Sequence, residues 1–96
     1  MLIDSRETAA RKRMRENEPA KFKIVNSQGQ TLANVKSVID VMEALGPCIT
    51  ERAMALSLRG QGITAFFADL PPDGLIAYSP ITWGDIEPGY YYLEQI

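Results

Sequence analysis

Polar and apolar positions alternate near the start of this chain and again at its end, and between those stretches apolar residues recur with a helical period. Lys21-Phe22-Lys23-Ile24-Val25 has the alternation of a short strand. In Tyr90-Tyr91-Tyr92-Leu93-Glu94 the same pattern sets Tyr90, Tyr92 and Glu94 on one face and Tyr91 and Leu93 on the other, one face for the core and one for the surface. Leu75-Ile76-Ala77-Tyr78 reads as its antiparallel partner. The two are joined by a ten-residue loop, Ser79 to Pro88, punctuated by Pro80, Gly84 and Pro88-Gly89.

The middle of the chain admits more than one reading. Asn26-Ser27-Gln28-Gly29 is compatible with a hairpin turn into a strand at Thr31 to Val35. Leu32, Val35, Ile39, Met42 and Leu45, however, recur every three or four residues, and this spacing predicts a helix from about Thr31 to Leu45, stopped by Gly46-Pro47. Thr50 caps a second helix in which Met54 and Leu58 stack at i and i+4, with Gly60 as its stop. Ile63, Phe66, Phe67 and Leu70 have helical spacing, yet β-branched and aromatic residues ahead of Pro-Asp-Gly suit a strand as well. At the front, Asp4 with Glu7 resembles a capping box for a helix over residues 4–17 that Pro19 ends. The organisation expected is a charged N-terminal helical segment, 1–20, followed by a single α+β domain, 21–96.

Composition narrows the function. Of 96 residues, 46% are hydrophobic and 23% charged, the balance of an ordinary globular domain. The apolar start Met1-Leu2-Ile3 is too short for a secretory signal and no later run approaches a membrane span, so the expected compartment is the cytoplasm, with no membrane partner. Cys48 is the single cysteine and reads as a small buried hydrophobe. Histidine is absent, which removes Ser-His and Cys-His nucleophile pairs and zinc sites built on imidazole. The carboxylate pairs Asp69/Asp73 and Asp85/Glu87 flank turn residues, and Gly60-Gln61-Gly62 lacks the remainder of a phosphate-binding loop. No catalysis, cofactor, metal or small-molecule substrate is expected.

Charge is divided along the chain. The net charge of −2 hides a basic stretch, Arg11, Lys12, Arg13, Arg15, Lys21 and Lys23, set against only Glu16 and Glu18. From Gly60 to Ile96 there is no lysine or arginine, only Asp69, Asp73, Asp85, Glu87 and Glu94. A basic run can gather at phosphates or simply solvate a helix face, whereas an acidic half repels nucleic acid.

Residues 38–95 resemble a winged helix-turn-helix domain. Met42-Glu43-Ala44-Leu45-Gly46-Pro47 is similar to the end of that family's first helix, and Thr50, Met54, Ala55 and Leu58 to its second. Ile63, Phe67 and Leu70 match the buried face of the third, Gly74-Leu75-Ile76 the entry to the wing, and Gly89-Tyr90-Tyr91-Tyr92-Leu93 the returning strand. The resemblance implies a three-helix core with a C-terminal β-hairpin wing. A second resemblance is to a ubiquitin-like β-grasp domain, with Phe22–Val35 as hairpin, Ser37–Leu45 as helix and Trp83, Pro88 and Gly89 before the last strand.

Two functions follow. The winged-helix resemblance implies a small regulator that binds DNA. Arg11, Lys12, Arg13, Arg15, Lys21 and Lys23 then grip phosphates, with Arg52, Arg59, Gln61 and Thr64 nearest the groove. The alternative is a protein-interaction or inhibitor module that presents Tyr78, Trp83, Asp85, Glu87, Tyr90 and Tyr92 to a basic protein partner or to a second copy of the chain. A third possibility is structural: Trp83 and two tyrosines close the core under the hairpin.

Overall fold

The computed structural model describes residues 20–96. The helix read over residues 4–17 and the basic residues Arg11, Lys12, Arg13 and Arg15 lie outside them. The chain enters through β1 (Phe22–Asn26), which turns back into β2 (Thr31–Val35). The side chain of Asn26 organises the turn: its Oδ1 accepts from the backbone N–H of Gln28 and of Gln30, both at 2.9 Å, and its Nδ2 donates to Gln30 Oε1 at 3.0 Å. An asparagine that satisfies its own turn in this way competes with helix formation immediately downstream.

Three short helices follow: α1 (Val38–Leu45), α2 (Glu51–Ser57) and α3 (Ile63–Asp69), with a 3-10 turn at Gly46–Cys48 between the first two. Ser37 caps α1 by accepting from Asp40 N–H at 3.2 Å, and Asp40 Oδ2 reaches back to the backbone N–H of Lys36 at 2.9 Å. This reciprocal pair satisfies two donors at the helix start and places a negative charge at the positive end of the helix dipole. Ser37→Ala is expected to cost about 1 kcal/mol, measured as a lower urea midpoint at unchanged m-value. Thr50 caps α2 in the same manner, accepting from Ala53 N–H at 3.2 Å. Pro71-Pro72 ends the helical run, and β3 (Leu75–Ser79) and β4 (Gly89–Gln95) complete the chain.

All four strands form one antiparallel sheet in the order β2-β1-β4-β3. The first and last strands are therefore its centre, paired from Phe22↔Gln95 to Asn26↔Tyr91. One face carries Phe22, Ile24, Val35, Ile76, Ala77, Tyr91 and Leu93 into a single core with Val41, Leu45, Ala53, Leu56, Phe66 and Leu70 from the helices. A bulge at Ile76 lets both Ile76 and Ala77 point inward opposite Tyr91. The connection into α2 is tied to the β3 edge, where Thr50 N–H donates to Ile76 O at 2.9 Å and Ile49 bridges to Ala77.

This architecture corrects the expected one. The chain is α+β, but it has no three-helix core with an appended wing. Its helices form a layer on a four-stranded sheet that begins before them, and β4 is an interior strand rather than one arm of a free hairpin. The helix expected over Thr31–Leu45 is a strand and a helix, because the Asn26 turn pairs Val35 with Phe22 and Ser37 then opens a new element. In α2 the buried residues are Ala53 and Leu56, while Leu58 is 81% exposed, so the helix presents a face rotated from the Met54/Leu58 line. Residues Ile63–Asp69 are helical, with Phe66 at the centre of the contact and Ile63 and Phe67 beside it. The hairpin-then-helix order of the β-grasp resemblance is present up to Leu45.

Candidate functional site

With one sheet face covered by helices, the other is defined by the cross-strand register. Val25 of β1, Tyr92 of β4 and Leu75 of β3 lie side by side across three strands. One step toward the β3–β4 loop, Tyr78 is paired with Tyr90, their ring centroids 4.7 Å apart and tilted at 43°. At the opposite end Lys23 faces Glu94. The face therefore runs from a charged end to an aromatic one and is least exposed in its middle: Val25 is buried and Tyr92 and Leu75 half-buried, while Glu94 is exposed at one end and Tyr78 and Tyr90 are 46% and 48% exposed at the other.

The aromatic end continues into the loop after β3. Ser79, itself buried, donates from Oγ to Ile81 O, which fixes the exit of the strand. Trp83 and Ile86 then exchange two backbone hydrogen bonds, at 2.8 and 2.9 Å, around Gly84-Asp85. Gly84 sits at φ +59°, the left-handed conformation that this two-residue turn demands. The turn sends Ile86 into the core and leaves Trp83 53% and Ile81 59% exposed. Tyr91, from the core face of β4, donates its hydroxyl to Glu87 O at 2.7 Å and ties the loop down at its other end.

Asp85 and Glu87 are exposed beside Trp83, and their carboxylates make no ion pair or hydrogen bond with another described residue. They line a groove of about 190 Å³ between this loop and the β1–β2 turn, together with Asn26, Gln30, Thr31 and Tyr91. No lysine or arginine occurs anywhere in the helix, strands and loop from Gly60 onward.

Of the residues expected at an interaction surface, Tyr78, Trp83, Asp85, Glu87 and Tyr90 lie on one hairpin, with Tyr78 and Tyr90 in ring contact and Tyr92 further along β4 on the same face. Ile81 lies on the same loop, and Asn26 and Gln30 line the groove with Asp85 and Glu87. Closure of the core falls to Tyr91 and Ile86 instead. Trp83→Ala is accordingly expected to leave the unfolding free energy within about 0.5 kcal/mol of wild type, read from a urea titration followed by far-UV circular dichroism.

The residues proposed for DNA are arranged differently. Lys21 and Lys23 lie at the start of β1. Arg52, Arg59 and Gln61 converge on one residue, Asp69: Arg52 Nη2 donates to its backbone oxygen at 3.2 Å, Gln61 Nε2 to its Oδ2 at 3.1 Å, and Arg59 Nη1 lies 3.6 Å from the same oxygen. Their donors hold the end of α3 to the first turn of α2 and to the connection between the two helices, while Thr64 stands exposed on α3. Among the described residues no group of three or more acidic, cysteine or histidine side chains is placed to hold a metal, and no helix is long and apolar enough to cross a membrane.

No protein-family model matches the chain, and neither the curated proteins nor the solved structures give a match.

Proposed function

We propose that this protein is a protein-interaction module whose docking surface is the aromatic end of the sheet face opposite the helices and the adjoining β3–β4 loop. The observation that carries the reading is the exposure of Tyr78, Ile81, Trp83 and Tyr90 on one hairpin whose loop is held by its own hydrogen bonds. Single exposed apolar residues are ordinary, but four large ones on one held element form the kind of patch that marks a binding surface. Tryptophan and tyrosine are also the residues that dominate binding energy, because they contribute large contact areas while losing few rotamers. A loop already fixed before binding loses little further entropy when a partner docks.

For DNA binding, the sheet topology replaces the winged-helix scaffold and Arg52, Arg59 and Gln61 are engaged with Asp69, while Arg11, Lys12, Arg13 and Arg15 lie outside the described residues.

The test is a photo-crosslinking experiment in the native host, with benzoylphenylalanine in place of Trp83 and, as a control, in place of the exposed helix residue Glu43. A discrete adduct from position 83 that weakens with Tyr78→Ala or Tyr90→Ala supports the proposal. An adduct pattern at position 83 no different from that at position 43 rules it out. An adduct of twice the chain mass identifies the partner as a second copy.

A further inference from the structure

The docking reading leaves the partner's chemistry open, and the charge around the aromatic patch narrows it. Resting on that reading, we infer that the partner presents a basic segment, with an arginine or lysine seated in the groove between the β3–β4 loop and the β1–β2 turn and apolar neighbours on Tyr78, Trp83 and Tyr90.

Three observations support this. First, the patch has no positive charge of its own: nothing from Gly60 onward is cationic, and the nearest sheet lysine, Lys23, is at the far end of β1, opposite Glu94. Second, Asp85 and Glu87 follow Trp83 on the same loop, and no other described residue engages their carboxylates. A carboxylate left unpaired beside a binding surface loses its water on docking, and that cost is recovered only if the partner supplies a cation. An acidic or neutral partner is therefore selected against. Third, the groove beside these carboxylates is polar and small. Asn26, Gln30, Thr31, Asp85 and Glu87 supply acceptors there for a guanidinium or ammonium, and the half-buried Leu32 an apolar edge for the methylene stem. The exposed faces of Trp83 and the Tyr78–Tyr90 pair offer a neighbouring arginine a cation–π contact.

The experiment uses the full chain and two labelled synthetic peptides followed by fluorescence anisotropy. One alternates arginine and leucine; the other carries citrulline for arginine, which is nearly isosteric and removes the charge together with part of the N–H donor fork. The arginine peptide is expected to bind at least about tenfold more tightly than the citrulline peptide, a difference of about 1.4 kcal/mol, and to weaken as salt is raised. Asp85→Asn with Glu87→Gln should erase most of that difference without changing the affinity for citrulline.

Equal binding of the two peptides, indifference to the Asp85/Glu87 variant, or no binding of the arginine peptide overturns the inference. If Trp83→Ala and Tyr90→Ala still weaken both peptides equally, the docking surface stands and only the partner's charge is wrong. If those variants change neither peptide's affinity, the surface itself is misassigned. A full chain with Arg11→Ala, Lys12→Ala, Arg13→Ala and Arg15→Ala that binds the arginine peptide tenfold more tightly would identify the chain's own N-terminal segment as the occupant and overturn assignment to a separate partner.

Discussion

Gly74→Ala is expected to destabilise the protein by about 3 kcal/mol or more, a large share of what a domain of this size has to lose. Two independent effects add at this position. Gly74 adopts φ +78°, where a side chain costs about 1–2 kcal/mol in backbone strain. A Cβ built there also lies 2.5 Å from the carbonyl oxygen of Leu93, a backbone atom of the central strand β4. Relief by moving β4 is opposed from the same pair of residues, because Leu93 N–H donates to Gly74 O at 2.8 Å. Either the hydrogen bond or the strand position must give way, and overpacking of this kind adds about 1–3 kcal/mol. Urea unfolding should show a much lower midpoint; a loss below about 1 kcal/mol would mean that the Pro71–Gly74 turn is looser than described.

Phe66→Ala should be comparably severe, at about 3–5 kcal/mol. Phe66 is fully buried where α3 meets the sheet, in one contact cluster with residues of all four strands. Truncation leaves a ring-sized void that Pro71-Pro72 and the Asp69 cluster, which hold the end of α3, prevent the helix from closing. Phe67 provides the control. It is half-buried and packs its ring 5.0 Å from that of Phe22, at the margin of the core. Phe67→Ala should therefore cost clearly less than Phe66→Ala, and the reverse order would place the other face of α3 against the sheet.

That comparison bears on how far the pattern of residues carries. The strands β1, β3 and β4, the loop from Ser79 to Pro88 and the Thr50 cap are all local signals and are present in the fold. The strand β2 is hidden by coincidence: Leu32 and Val35 happen to continue the helical spacing of Ile39, Met42 and Leu45. The signals that break that run are polar and easily passed over, namely Asn26 serving its own turn and the Ser37–Asp40 cap. In α2 the buried face is marked by a small residue, Ala53, while the larger Met54 and Leu58 are left outside, so size-weighted periodicity points to the wrong side.

The sheet order depends on β1 meeting β4 across nearly the whole described chain, and no local pattern encodes that pairing. The candidate site was legible in part for the same reason. Tyr78, Trp83, Asp85, Glu87 and Tyr90 sit on one hairpin and can be grouped from spacing and charge. Asn26 and Gln30 join them only because the central strands bring the two loops to the same end of the sheet. Arg52, Arg59 and Gln61 look available along the chain and become occupied once the short connection between α2 and α3 brings them onto Asp69.

On the proposed docking mode, Trp83 and its neighbours are exposed in the isolated protein and covered when a partner binds. Trp83 is the only tryptophan, so its emission reports on that surface alone. Fluorescence with acrylamide quenching should give a red-shifted, readily quenched indole in the isolated chain. Titration with the partner identified by crosslinking should shift it to the blue and protect it. An indole already blue-shifted and protected in the isolated chain, or one unchanged when the complex forms, would contradict the account.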